Sequence, residues 1–361
     1  CSGGLYRVIN KRIKLIMAFT TVNKPTDHFN TLLYTGTGAE NALTGVGFQP
    51  DWIWLKKRGA SGHHFLQDVV RGPTYQLQSS TNNAQSNNAQ YVKSIQSDGF
   101  TLGTDTDVNP NGGTAVAWNW KASGSTTTNS NGSVNCTQSL NATAGFSIFK
   151  WTGTGSGEVS IGHGLGTAPK MWFVKSLSSG NWFVYTTVID GSLDYLYLNT
   201  TAAKADSSAT TATNSVIYGV SSTNQAEDYI CYAFKEVQGY SRFGTYAGNS
   251  GTDGTFVYTG FKPAWLLVKA ASGSQTPQNQ SWVLYDNKRS SSGGNNENSY
   301  KLYPNATDAE ATSGIAQVDL VSNGFKFRNS THQSNSNNTY LYMALAEAPL
   351  VGTNNVPCTA R

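Results

Sequence analysis

The sequence predicts an all-β chain built from three tandem antiparallel β-sandwich units. Three observations predict it. Aromatic residues are plentiful, with 9 Trp, 18 Tyr and 15 Phe, and they alternate with stretches rich in Gly, Ser, Thr and Asn. Aromatic and β-branched residues suit strands, whereas Gly and Asn suit the turns between them. Charged residues make up 13% of the chain, about half the roughly 25% usual for soluble domains. So many apolar rings with so little charge exclude a disordered chain, which lacks groups to bury. The third observation is a set of five landmarks that recurs in the same order three times.

Each set begins with an aromatic strand running into a Gly/Thr turn: "FNTLLYTGTG" (29–38), "FSIFKWTGTG" (146–155) and "SRFGTYAGNS" (241–250). A proline-led apolar run follows, "PDWIWLK", "PKMWFVK" and "PAWLLVK", with a lysine six places after Pro50, Pro169 and Pro263. Bulk on both faces of these runs predicts strands buried on two sides. Proline cannot donate to a ladder and fits the strand entrance. Lys56, Lys175 and Lys269 are expected at the exit, stems over apolar surface and heads in water.

Further strands are predicted at "HHFLQDVV" (63–70), "NWFVYTTV" (181–188) and "SWVLYDNK" (281–288). The fourth landmark is a tight turn and strand, "SDGFTLGT" (97–104) and "SNGFKFRN" (322–329). The middle set has "NSVIYGVS" (214–221) there, without the turn glycine. Each set closes on "TAVAWNWKA", "DYICYAFKE" or "TYLYMALAE". These landmarks place the units at 29–122, 146–237 and 241–349, each with five to seven short strands, long enough for a small core of its own. Residues 123–145 read as a polar linker or extended excursion, and 350–361 as a C-terminal tail. "GTGSG" (153–157) reads as a hairpin turn, because it lacks the Lys-Ser/Thr ending of a phosphate loop.

Residues 1–28 form an N-terminal segment. Arg7, Lys11, Arg12 and Lys14 precede Met17, and removing those four cancels the net charge of +4. "KRIKLIM" is what a purine-rich ribosome-binding region would encode, so Met17 is expected as the native start and 1–16 as upstream sequence. The rest shows no basic stripe for a phosphate backbone, which argues against nucleic acid. No run approaches the ~18 apolar residues of a membrane span. Cys1, Cys136, Cys231 and Cys358 are scattered and make neither a disulfide scaffold nor a zinc motif.

No catalytic, cofactor or metal residue is assigned. Glucanase-type sandwiches need two nearby carboxylates, and no predicted strand carries a Glu-x-Asp or Glu-x-Glu pair. Asp105 and Asp107, with Asn109 and Asn111, offer clustered oxygens for a cation; a solvated turn is the plainer reading. His63 and His64 are strand neighbours that point to opposite faces. With His28, His163 and His332 they read as isolated surface histidines. Trp52, Trp54, Trp172 and Trp265 lie among apolar residues and read as core. A sugar site is expected in the polar loops instead, with no residue named.

The stretches "MAFTTVNKPTDHFNTLLYTGTG" (17–38), "GFQPDWIWLKKR" with its downstream "DVVRG", and "SDGFTLGT…AVAWNWKA" carry a resemblance. The chain resembles a domain-of-unknown-function repeat family of marine tailed-bacteriophage structural proteins. Unit 1 matches most closely; units 2 and 3 depart, as at Val216-Ile217-Tyr218. The resemblance implies concanavalin-lectin-like or jelly-roll-like sandwiches, a virion location on a tail fibre or capsid surface, and no enzymatic activity. The partners implied are other virion proteins, host-surface glycans reached through loops, and further copies of the chain. A secreted carbohydrate-binding or glycan-hydrolysing protein is the alternative.

Overall fold

The computed structural model describes residues 19–272, 280–289, 296–312, 317–330 and 333–352. It is all-β, and every pairing between its strands is antiparallel. The first region holds β1 (Phe29–Thr35), β2 (Asn41–Thr44), β3 (Trp52–Lys57) and β4 (Phe65–Asp68). It continues with β5 (Gly72–Gln78), β6 (Ser86–Asn87), β7 (Val92–Gln96), β8 (Gly99–Leu102) and β9 (Thr114–Trp120).

The second region has β10 (Thr127–Asn129), β11 (Cys136–Asn141), β12 (Phe146–Thr152), β13 (Val159–Gly162) and β14 (Met171–Ser176). After these come β15 (Trp182–Thr186), β16 (Asp194–Tyr197), β17 (Ala205–Asp206), β18 (Val216–Gly219) and β19 (Asp228–Phe234). The third region has β20 (Ser241–Ala247), β21 (Phe256–Tyr258), β22 (Phe261–Ala270), β23 (Val283–Asp286) and β24 (Glu297–Asn298). It ends with β25 (Tyr300–Lys301), β26 (Ala311–Thr312), β27 (Val318–Val321), β28 (Gly324–Phe327) and β29 (Thr339–Pro349).

One strand order recurs: β1-β9-β3-β4, β12-β19-β14-β15 and β20-β29-β22-β23. In each, the proline-led strand lies beside the last strand, with Trp52 opposite Trp120, Met171 opposite Phe234 and Trp265 opposite Leu345. "ALAEA", the most helix-like stretch by composition, lies inside β29. A smaller sheet accompanies each large one: β2-β8-β7, β13-β18 and β21-β28-β27-β24.

The three regions close into a ring around one shared core. Trp52, Trp54, Trp118, Phe146, Trp182, Tyr232, Phe243 and Trp265 belong to a single buried cluster. Trp52 stacks on Tyr232 at 4.4 Å and Trp120 meets Trp265 at 5.6 Å. Separate clusters fill the space between large and small sheets in the first two regions. This double burial explains the apolar runs. One face of Trp52–Leu55 looks to its own small sheet, the other to its neighbours.

Equivalent hydrogen bonds join the regions head to tail. Trp182 Nε1 donates to Gln78 O at 2.8 Å, and Trp282 Nε1 donates to Tyr197 O at 2.9 Å. His64, at the matching position, lies against the Tyr303 backbone. Two buried ion pairs repeat as well. Arg71 Nε donates to Asp68 Oδ2 (2.6 Å), which also accepts Tyr232 OH from the second region (2.7 Å). Arg289 Nε donates to Asp286 Oδ2 (2.5 Å), which also accepts Trp118 Nε1 from the first region (2.9 Å). The middle region holds Thr186 and Ile189 in those places, and the residue matching Trp118 and Tyr232 is Met343. All three members of the polar set are replaced together.

Several expectations are corrected. Lys56, Lys175 and Lys269 do not reach water: all three are fully buried. Each ammonium donates to carbonyls at the strand exit, Lys57 O, Ser176 O and Ala270 O, at 2.8, 2.5 and 2.9 Å. Packing between regions covers the exits that an isolated sandwich would leave open. Burial pushes Lys56 and Lys175 down to about 8 and Lys269 to about 7. The 123–145 stretch is no linker, since β10 and β11 extend the middle sheet beyond β12. "GTGSG" is not a hairpin, because β12 and β13 lie in different sheets.

The Gly/Thr turns are shaped by a buried asparagine that composition did not single out. Asn109 Oδ1, Asn224 Oδ1 and Asn335 Oδ1 accept the backbone N–H of Thr37, Thr154 and Asn249. The preceding glycine is required there: a Cβ on Gly36, Gly153 or Gly248 would lie 2.2, 2.1 or 2.0 Å from a carbonyl oxygen.

Candidate binding trough in the middle region

The small sheets differ in width. β7 and β27 lie on the far side of β8 and β28, but among the described residues no strand takes that place beside β18, which pairs with β13 alone. The missing turn glycine at 214–221 marks this loss, because no hairpin precedes β18. The eight-stranded middle sheet therefore meets a two-stranded cover. Its outer strands β15 and β16 keep one face partly open.

That face is aromatic. Side chains alternate along a strand, so Trp182, Val184 and Leu196 enter the shared core while Phe183, Tyr185, Tyr195 and Tyr197 point the other way. Phe183 packs on Tyr185, Tyr195 and Tyr197 with ring centroids at 5.7, 5.5 and 5.1 Å. Phe183, Tyr195 and Tyr197 are half-buried, whereas Tyr185 is buried. In the first region Phe65, the counterpart of Phe183, is buried against Tyr91, just before β7. The counterparts in the third region, Val283 and Tyr285, are buried too.

The rings floor a trough of about 190 Å³. Its walls carry short polar side chains, among them Asp206, Ser208, Ser221 and Ser222. A second, polar hollow of about 430 Å³ shares Ser208, Val220 and Ser221 with it and runs on to Asn224 and Gln225. The floor is held in place by its own hydroxyls. Tyr185 bonds Thr223, and Tyr197 bonds Tyr195 and Asn181. Burial pushes the Tyr185 phenol up to about 12, so it stays a neutral donor near pH 7. Ser221 has φ of 39°, a left-handed conformation that costs a non-glycine residue roughly 1 kcal/mol or more.

One end of the trough is acidic. Asp190, Asp194 and Asp206 place carboxylate oxygens within 4.8 Å of one another. Lys204 Nζ stands among them at 2.7, 2.6 and 3.0 Å. Hydrogen bonds from Lys204 hold Asp190 far below the usual carboxylate range, while burial raises Asp194. The same contacts raise Lys204. The lysine fills the position a metal ion would take.

The residues weighed from sequence are distributed elsewhere. Asp105 Oδ1 accepts Asp107 N, Asp107 pairs with Lys57 at 2.6 Å, and Asn109 braces its turn, so those oxygens serve the loop. His64 and His163 are buried rather than on the surface. His64 Nδ1 accepts Trp54 Nε1 at 3.0 Å, and His163 Nε2 lies 3.1 Å from Thr213 O. His28 meets Asn141, and His63 meets Ser80. His332 lies outside the described residues, as do Met17, Cys1 and Cys358. Trp52, Trp54, Trp172 and Trp265 are buried core. Phe183, Tyr185, Tyr195 and Tyr197 were missed. Their signal was alternate aromatics in "WFVYT" and "DYLYL", together with the absent glycine downstream.

A family model described as a domain of unknown function, DUF7483, matches residues 24–349. The chain belongs to that family. The match runs through all three regions, so the DUF7483 unit includes the whole ring and not one region of it. Comparison with curated proteins and with solved structures gave no match.

Proposed function

We propose that the protein is a structural component of a phage virion, on a tail fibre or capsid surface, and that its middle region binds host-surface glycans. The observation that carries the binding reading is the open aromatic floor of Phe183, Tyr185, Tyr195 and Tyr197. Flat amphipathic rings bury apolar area while their hydroxyls stay hydrogen-bonded. The C–H face of a sugar ring suits such a floor, and the serine hydroxyls and Asp206 along the walls suit its hydroxyls. The resemblance of "GFQPDWIWLKKR" and its companion stretches to phage structural proteins supports the virion location.

Cleavage asks for two carboxylates about 5–10 Å apart across the scissile bond. The trough wall contributes Asp206 alone, which favours binding over hydrolysis. The fold also suits a particle surface, where three joined regions present their loops on a shared rigid core.

Two measurements test the proposal. Mass spectrometry of purified phage particles should find the chain at stoichiometric abundance; its absence from particles and presence in host secretions would favour the secreted alternative. NMR titration with oligosaccharides should move the Tyr195 and Tyr197 ring signals first, and Tyr195→Ala should weaken binding at least tenfold. Shifts confined to the first or third region would move the site away from the trough.

A further inference from the structure

Building on the glycan reading, we propose that the trough selects uncharged saccharides and excludes uronic or sulfated ones. Recognition of carboxylate or sulfate groups usually relies on Arg or Lys, whose donors pair with the anion. Neither the aromatic trough nor its polar continuation has a Lys or Arg in its lining. The cation closest by connection to the site is Lys204, and its ammonium is consumed by Asp190, Asp194 and Asp206. Three carboxylates against one ammonium leave two negative charges at the end where Asp206 forms the wall.

Asp206 is the most exposed of the three, so its field reaches into the trough through water. Such a field acts over about 8 Å at physiological ionic strength, about 30 Å at 0.01 M and about 3 Å at 1 M. An anionic sugar seated on the rings meets this repulsion with no basic partner among the described residues of the lining to offset it. A neutral sugar meets hydroxyl groups and Asp206, whose carboxylate can accept from sugar hydroxyls. The aromatic floor supplies contact area to either class, and the acidic end separates them.

The experiment uses the full chain in isothermal titration and NMR titration. The neutral probes are maltohexaose, cellohexaose and xylohexaose; the anionic probes are hexagalacturonate and a sulfated galactan hexaose. At 0.01 M salt at least one neutral probe should bind ten times or more tighter than either anionic probe. The gap should shrink in 1 M NaCl and in Asp206→Asn, while Tyr195→Ala should weaken neutral binding in both salts. Anionic probes binding as tightly as neutral ones would overturn the selectivity and leave glycan binding standing. No binding by any probe would overturn the glycan reading itself. A gap unchanged by salt and by Asp206→Asn would also overturn the inference, by removing charge as its cause. A thermal melt of each variant checks that Asp206→Asn and Tyr195→Ala remain folded.

Discussion

The middle region and its two neighbours share a strand order and differ in what covers it. In the first and third regions a flanking strand, β7 or β27, widens the small sheet and the underlying side chains are buried. In the middle region that strand is gone and four rings line an open trough. The same region has also lost its Asp–Arg pair, with Thr186 and Ile189 in its place. A shared strand order therefore does not fix what covers it: two regions close over their aromatic faces and one leaves its face partly open.

The buried pairs provide the strongest way to break this comparison. Asp286→Ala takes the acceptor from the Trp118 indole and one of two carboxylates from Arg289, which keeps Glu310, and should cost about 3 kcal/mol. Thr186→Ala, at the matching place, removes a hydroxyl that donates to Lys170 O and accepts from Val188 N–H and should cost about 1–1.5 kcal/mol. Urea denaturation of both variants checks the contrast; equal losses would mean that the two interfaces are held alike.

The lysines test what the three regions have in common. Lys56, Lys175 and Lys269 have folded values of about 8, 8 and 7, below the roughly 10.4 of an unfolded lysine. Between about pH 7 and 9 these three lysines therefore bind more protons in the unfolded chain than in the folded one, and their contribution makes stability rise with pH. Thermal melts across this window should show Tm increasing, and Lys269→Met should flatten part of the rise. An unchanged slope would show that Lys269 is solvated.

The smallest expected effect concerns the trough wall. Ser221→Gly relieves the positive φ and should stabilise the chain by about 0.5–1 kcal/mol. If the strained loop shapes the site, the same change should weaken saccharide binding. A gain in both would separate the strain from the function.

Much of the architecture could be read from residues 47–59, 166–178 and 260–272, because double burial leaves an apolar run with no alternation. The ring was not legible. A strand covered by a second chain region looks the same as one covered by its own sheet, so the shared core around Trp52 and Trp265 left no separate signal. For the same reason the lysines were misplaced: a lysine at a strand exit usually reaches water, and only the neighbouring regions prevent it. The trough escaped for the opposite reason. Tyr195 and Tyr197 look like any sandwich interior, and what exposes them is a strand that is missing.

The contact between Arg58 and Glu310 joins residues 252 positions apart. The same closure brings Trp120 of the first region against Trp265 of the third, so that apolar face stays uncovered until the third region is synthesised. The first and last regions can close on each other only once nearly the whole chain has been made.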